Sequence, residues 1–217
     1  MPDAGFFRRL GLFVDSAFLD PGACSRLVAE TQAAPAEKGI VVGARAVREK
    51  GGSIDESGRK VWHTQIGRAT ELEISDRLDN LRPKLERHFN VCLGDREGPH
   101  FLRYDQGGFH VPHRDSRPSS PLEIRRRAVS VVVFLNSSVQ DPVIGDGFGG
   151  GELVLYGLLD DPRWKKYGFS VDATPGLLIA YRSDAAHEIR PVKFGQRFTI
   201  VTWFLQDPSR SNPATAK

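Results

Sequence analysis

Two short segments of the chain carry residue types that could bind one metal ion together. The segment YDQGGFHVPHRD contains His113 and Asp115, two positions apart. The segment HEIRPVKFGQRFTIVTWF begins with His187 and contains Arg197 ten residues later. Two imidazoles and one carboxylate hold Fe(II) on one face and leave the opposite coordination positions open. The arginine could pair with a dicarboxylate cosubstrate. These segments therefore indicate an iron-dependent oxygenase.

The HxD triplet is weak support by itself, because roughly one chain in three of this length contains one by chance. Residues two apart in a strand share a face, so His113 and Asp115 could reach one ion if the segment is a strand. His187 lies between two β-like runs, with Arg197 after it, and so supplies the third ligand. The remaining histidines are expected to be structural or on the surface, with His110 the one spare ligand: His63, His88, His100 and His110.

The run RFTIVTWFL that begins at Arg197 is apolar on both strand faces, which predicts that the strand is buried. A buried guanidinium requires an anionic partner. Thr199 and Trp203 share the strand face of Arg197, and the Thr199 hydroxyl could contact the same anion.

Composition limits the class of protein. The 217 residues allow one large domain, and hydrophobic residues make up 40% of them. A net charge of +3 is too balanced to indicate a nucleic-acid partner. No apolar run could span a bilayer, so no membrane partner is expected. Charged residues interrupt the N-terminal region, which predicts a cytoplasmic protein. Cys24 and Cys92 are expected to be reduced thiols, and the oligomeric state cannot be read from the sequence.

Helices come first and strands follow, which predicts a mainly β protein with N-terminal helices (α+β). Asp20 and Pro21 predict a helix to about Ala33. Apolar residues at helical spacing run from Ile74 to Phe89, and Pro83 predicts a kink or two shorter helices there. Short strands bounded by glycines follow, which favour a jelly roll: 101–105, 128–136, 151–157, 176–182 and 197–205.

Residues 100–206 resemble the Fe(II)/2-oxoglutarate-dependent dioxygenases of the prolyl-4-hydroxylase-like branch. The resemblance depends on these motifs in this order: Tyr104-x-x-Gly107, Pro112-His113-x-Asp115, Phe134-Leu135-Asn136, Gly150-Gly151-Glu152-Leu153, Pro175-Gly176, His187, Pro191-Val192, Gly195-x-Arg197 and Trp203. It implies one dioxygenase domain: a helical and loop support region (1–99), a double-stranded β-helix catalytic core (100–206) and a polar tail (207–217).

The resemblance also implies the role of each site residue. His113, Asp115 and His187 would bind Fe(II), and 2-oxoglutarate and O2 would be cosubstrates, with ascorbate as a candidate reductant. The cosubstrate would be held by Arg197, Tyr104 and Thr199. The substrate would be contacted by Arg127, Trp203, Ser130 and Arg117. Phe134 departs from the family pattern, which has tyrosine there, and Thr199 could supply the missing hydroxyl.

The implied reaction is hydroxylation of a C–H bond with formation of succinate and CO2. The substrate is a small molecule (an amino acid or natural product) or short peptide; the alternative is a peptidyl or protein prolyl residue. Arg117 and the run Arg125–Arg127 favour an anionic substrate. An inactive jelly-roll binding module and a zinc hydrolase remain alternatives from other classes. Residues 39–70 and 157–172 are either lids or ordinary surface loops.

Overall fold

The structure is a computed structural model that describes residues 4–39, 57–141, 147–159, 161 and 166–210. Part of each candidate lid, and residues 211–217 of the predicted polar tail, lie outside these residues. Within the described residues, no helix is both long and apolar enough to cross a membrane.

The helices are α1 Ala4–Arg9, α2 Pro21–Ala33, α3 Arg68–Asp79, α4 Arg82–Phe89 and α5 Leu122–Arg125. Helix α2 ends at the predicted residue, α3 begins before the predicted Ile74, and α1 and α5 were not predicted. The Asp20 side chain accepts a hydrogen bond from the Ala23 backbone N–H, which caps α2 as predicted. The periodic segment around Pro83 is confirmed as two helices, because the proline occupies the first turn of α4, where no N–H is needed.

The strands are β1 Phe13–Asp15, β2 Ala36–Lys38, β3 Arg59–Lys60, β4 Trp62–Thr64, β5 Leu93–Arg96, β6 His100–Tyr104, β7 Phe109–His113, β8 Arg127–Phe134, β9 Gly149–Gly150, β10 Leu153–Tyr156, β11 Gly168–Val171, β12 Leu178–Arg182, β13 Ala186–Ile189, β14 Val192–Phe194 and β15 Arg197–Gln206. The described residues form an eight-stranded sheet in the order β1-β12-β8-β15-β6-β4-β2, with β5 also on β15, and a five-stranded sheet in the order β11-β10-β13-β7-β3. Strand β14 pairs with β9 separately.

The first half of the chain differs from the prediction of helix and loop. Strands β1 to β5 all lie before residue 99, and four of them extend the large sheet at its edges or on β15. The fifth, β3, pairs with β7, so that Arg59 lies opposite His110 beside the predicted ligand segment. The support region therefore contributes to both sheets and to the walls between them.

Two hydrophobic clusters use opposite faces of the large sheet. Along β8, Val129, Val131 and Val133 pack on one face against the helices, with α3 and α4 contributing a set of leucines and Ile74. On the other face, Val132 and Phe134 pack in the cluster that also includes residues of the five-stranded sheet. Alternation along a strand explains this division, and it directs Ser130, Val132 and Phe134 toward the space between the sheets.

Candidate active site

Three potential metal ligands meet between the two sheets. His113 ends β7 and is paired in register with His187 on β13. Their ligand atoms and a carboxylate oxygen of Asp115 all lie within 4.8 Å of one another. The Asp115 oxygens are 3.7 Å from His113 Nε2 and 3.5 Å from His187 Nε2. Only His113 lies on a strand, because β7 ends there and Asp115 lies in the bend that follows. The two residues therefore do not share a strand face, although both reach the same point.

Both imidazoles are oriented by the backbone. His113 Nδ1 is 2.8 Å from the Val111 carbonyl oxygen, and His187 Nδ1 is 3.1 Å from the Ala185 carbonyl oxygen. A carbonyl oxygen only accepts, so each Nδ1 carries the proton and each Nε2 keeps a lone pair. Burial also lowers the pKa of His187 to about 4, so its imidazole is neutral at neutral pH. Each Nε2 is therefore available to a metal ion.

Asp115 is ionised and held by hydroxyl groups. Burial acts to raise its pKa, but the neighbouring His187 and His113 and the Ser130 hydrogen bond together hold that pKa well below its usual range. The Ser130 hydroxyl is 2.7 Å from Asp115 Oδ2 and 2.9 Å from the Ser183 hydroxyl. The site thus combines two imidazoles with one carboxylate.

Arg197 lies at the start of β15 with only 1% of its surface exposed. Its guanidinium carbon is 5.0 Å from the Tyr104 ring centre and 5.2 Å from the Phe134 ring centre. Nη1 donates to the Thr199 hydroxyl at 3.2 Å. Nε and Nη2 are buried and have no hydrogen-bond partner among the described residues. Burial lowers the pKa of Arg197 to about 10, which leaves it charged at neutral pH. We call Arg197 and Thr199 the arginine clamp.

Two residues of the sequence motifs, Asn136 and Gly151, shape the strand ends beside the arginine clamp. The Asn136 side chain accepts from the Phe198 N–H at 3.0 Å and donates to the Gln196 carbonyl at 2.8 Å, which ties the end of β8 to the start of β15. Gly151 has φ +63°, and a Cβ there would lie 3.1 Å from Arg197 Cδ. Glycine is therefore required both for the backbone conformation and for the passage of the arginine.

A cavity of about 830 Å³ opens onto the ligands and the clamp. All four residues expected to contact substrate lie in its lining: Arg117, Arg127, Ser130 and Trp203. Tyr104 lies there as well, whereas Arg125 and Arg126 do not. Arg127 donates to both Glu97 carboxylate oxygens, at 2.5 and 2.7 Å, and its guanidinium carbon lies 3.8 Å from the centre of the Trp203 ring.

Several lining residues were not predicted: Arg59, His63, His100, His110 and Tyr181. Three of these are histidines that the sequence assigned to structural or surface positions. His110 stacks on His113 with ring centres 3.5 Å apart, so it supports the ligand ring, and it does not belong to the cluster of ligand atoms found in the described residues. Tyr181 packs edge-on against His187 at 5.0 Å. Tyr181 lies two residues after Ile179 in the strand that precedes His187, and this spacing could have indicated that both side chains share one strand face.

The geometry fits both groups that the sequence resemblance implies. The two Nε2 atoms and the Asp115 carboxylate provide three ligands for Fe(II) on one side of the ion. Arg197 lines the same cavity, and its buried Nε and Nη2, which have no partner among the described residues, suit a carboxylate. Burying a cation whose donors have no partner costs free energy in the ligand-free protein. A binding site for an anion has this cost, because the anion is what pairs with the donors.

Comparisons with known proteins identify the class. The family model of the 2OG-Fe(II) oxygenase superfamily matches residues 99–205, which include all three ligands and the clamp. Residues 99–205 therefore resemble this superfamily, which supports a 2OG-Fe(II) oxygenase similar to the prolyl-4-hydroxylase branch. The family and the His-Asp-His site together imply Fe(II) and 2-oxoglutarate.

Individual relatives agree with that assignment. A PKHD-type hydroxylase of Maricaulis maris is 28% identical over 151 residues, which cover 64% of this chain and 61% of the relative. The alignment with a second hydroxylase, a PKHD-type hydroxylase of Alteromonas mediterranea, covers 42% of that protein. The chain therefore spans about three-fifths or less of the length of these curated relatives.

Solved structures confirm the predicted fold class, a jelly roll flanked by helices. A prolyl-4-hydroxylase of Pseudomonas putida is 24% identical with a TM-score of 0.62, covering 91% of this chain and 93% of that chain. A prolyl hydroxylase from Trichoplax adhaerens, in complex with a hypoxia inducible factor peptide fragment, is 18% identical with a TM-score of 0.69, covering 94% and 87%.

Proposed function

We propose that the protein is an Fe(II)/2-oxoglutarate-dependent hydroxylase that oxidises a C–H bond of an anionic small molecule or short peptide, forming succinate and CO2. O2 is the oxidant in this proposal, and ascorbate is the candidate reductant for the iron. One observation carries it: Arg197 lines the cavity that also holds a His-Asp-His ligand set, and its buried Nε and Nη2 have no partner among the described residues.

The residues divide the work as follows. Both histidines present Nε2, and Asp115 presents a carboxylate, to the metal that supplies the oxidising chemistry when bound. Arg197 takes the distal carboxylate of 2-oxoglutarate through Nε and Nη2, while Thr199 fixes its Nη1 and can turn its own hydroxyl proton toward the same carboxylate. Phe134 offers a ring face to the guanidinium in place of a hydroxyl.

The charge of the cavity favours an anionic substrate. Besides the clamp, its described lining contains Arg59, Arg114, Arg117 and Arg127, whereas Asp115 is the lining carboxylate and is used by the metal. Arg127 is neutralised by Glu97. Arg117 is exposed at the cavity wall, and no ion pair involving it occurs among the described residues. A substrate carboxylate or phosphate therefore has partners here, and an ammonium group has fewer.

Peptidyl prolyl hydroxylation is the second candidate. Leu122 is 61% exposed on α5, and Ile124 of the same helix lines the cavity. An apolar rim beside a deep cavity suits a chain segment that leaves the cavity on both sides. The Trichoplax adhaerens neighbour is a prolyl hydroxylase in complex with a peptide fragment, which supports the same alternative.

Two other classes have less support. An inactive binding module would be expected to lose a ligand or the clamp arginine, and both are present. A zinc hydrolase would leave the buried N–H groups of Arg197 without a purpose, since a hydrolytic water does not require them.

The test measures succinate formed by the wild-type protein with Fe(II), 2-oxoglutarate and O2 across matched substrate pairs. Each pair is one acid and its methyl ester or amide, drawn from amino acids, natural products and proline-containing peptides. Succinate should form, either alone or together with an oxidised substrate. The rate of succinate formation should be higher with each acid than with its methyl ester or amide. A Zn(II) protein that hydrolyses esters while the Fe(II) protein forms no succinate would contradict the proposal.

Arg117→Ala tests the charge argument, and Arg125→Ala is its control because Arg125 is exposed and lies outside the cavity. Loss of a charge-assisted contact of about 2 kcal/mol raises the KM for the acid about 30-fold. The ester KM and the 2-oxoglutarate KM should stay unchanged. If Arg125→Ala lowers activity toward the acid as much as Arg117→Ala does, the anion is not bound at Arg117.

A further inference from the structure

A buried hydroxyl chain runs from β12 through β8 to the carboxylate of the ligand set. Ser183 follows β12, and Ser130 lies on β8; each is 1% exposed. Ser130 Oγ is 2.7 Å from Asp115 Oδ2, and the two serine oxygens are 2.9 Å apart. A serine has one hydroxyl proton, and an ionised carboxylate only accepts. Ser130 must therefore donate to Asp115, and Ser183 must donate to Ser130.

Ser130 thus supplies the proton that Asp115 Oδ2 accepts. Each carboxylate oxygen also lies toward one imidazole, since Oδ1 is 3.7 Å from His113 Nε2 and Oδ2 is 3.5 Å from His187 Nε2. Rotation of the carboxylate away from this position would break the 2.7 Å hydrogen bond from Ser130. The Ser183 carbonyl also accepts from the Ser116 N–H at 2.9 Å, which holds the residue after Asp115.

We propose that Ser130 and Ser183 are positioning residues for the metal site: they form a one-way hydrogen-bond relay that holds the Asp115 carboxylate beside His113 and His187. The resemblance assigns Ser130 to the substrate instead. Its hydroxyl proton is committed to Asp115 and one oxygen lone pair to Ser183, so Ser130 has no proton to donate to a substrate. The inference rests on the proposed function for the identity of the metal.

The experiment is a Co(II) titration, followed by visible absorption against a competing chelator, on purified protein without 2-oxoglutarate. Hydrogen bonds to metal ligands typically affect metal affinity by about 10–100-fold. Ser130→Ala should therefore raise the Co(II) Kd about 10–100-fold. Ser183→Ala should raise it less, by about 3–10-fold, because Ser130 can still donate.

The double variant tests the relay itself. If Ser183 acts only through Ser130, the double variant binds Co(II) as Ser130→Ala does, within about twofold, so the two effects are not additive. A Kd equal to the product of the two single effects would show independent roles and overturn the relay. A Ser130→Ala Kd within twofold of wild type would overturn the positioning role altogether.

Two controls separate this from general destabilisation. Thr202→Val removes another buried hydroxyl from the large sheet, whose acceptor, the Glu97 carbonyl, also receives a bond from Arg96; its Co(II) Kd should equal that of wild type. If Ser130→Ala fails to fold, Ser183→Ala decides, and an unchanged Kd there overturns the proposal. Wild-type protein that binds Co(II) but forms no succinate with Fe(II) would instead contradict the proposed function.

Discussion

Arg197→Met should make the ligand-free protein more stable while removing its response to 2-oxoglutarate. The buried guanidinium has a pKa lowered from 12.5 to about 10 by burial, which corresponds to a cost of about 3 kcal/mol on its charged form. Methionine fills similar space between Tyr104 and Phe134 without that cost. Replacing a buried charge in this way often stabilises a protein by about 1–4 kcal/mol. We expect the apo melting temperature to rise by about 3–6 °C.

The cosubstrate response should change in the opposite direction. Replacing Arg197 removes two charge-assisted hydrogen bonds to the distal carboxylate of 2-oxoglutarate, each worth about 1.5–3 kcal/mol. The 2-oxoglutarate Kd should therefore rise at least about 100-fold, as measured by calorimetry with Mn(II) in the metal site. Thermal melts with and without 2-oxoglutarate should show a stabilising shift for wild type and none for the variant.

Arg190→Met is the matched control, because Arg190 is an exposed arginine paired with Glu188. It should leave both the apo stability and the 2-oxoglutarate shift near wild type. The reasoning is refuted if Arg197→Met keeps the wild-type shift. It is also refuted if that variant is destabilised by several kcal/mol without ligand, since Arg197 would then have a structural partner.

Three further predictions address the metal, the glycine turn and the cavity wall. His187→Ala should lose the Co(II)-induced rise in melting temperature that wild type shows and that a chelator reverses. Gly151→Ala should lower the free energy of unfolding by about 2–4 kcal/mol in denaturant titrations, because its Cβ would lie 2.9 Å from Val192 Cγ2 and 3.1 Å from Arg197 Cδ in addition to the left-handed strain. Gly157→Ala, with open space around it, should cost only about 1–2 kcal/mol. Burial, and secondly the Arg59 charge, lower the pKa of His63 to about 4 in the folded protein. As the pH falls below 6.5, the unfolded chain therefore binds a proton at His63 before the folded protein does. Stability should therefore fall between pH 6.5 and 4, and His63→Leu should reduce that fall by about 1–2 kcal/mol; equal pH profiles would contradict this.

Local patterns determined what could be predicted about the fold. The cap at Asp20, the proline break at Pro83 and the burial of β15 all depend on neighbours within a few residues, and the structure confirms them. Strands β1 to β5 were missed because each has two to four residues, which is too short for a period-two pattern to be recognised. They form because an existing sheet edge accepts them, which is a property of the assembled sheet.

The same distinction applies to the site. His113, Asp115, His187 and Arg197 have motif spacings that can be read along the chain, and the structure brings all four to one cavity. The partner of Asp115 could not be read in this way. Ser130 and Ser183 are 53 positions apart and meet only because β8 and β12 pair in a particular register.

The most direct test of the account is the addition of 2-oxoglutarate to the Fe(II) protein without oxygen. If the three ligands and the arginine clamp hold iron and cosubstrate together, a weak visible charge-transfer band should appear. The band should be absent with succinate in place of 2-oxoglutarate, and absent in His187→Ala. Wild-type protein that binds Fe(II) but gives no band at saturating 2-oxoglutarate would contradict the central claim.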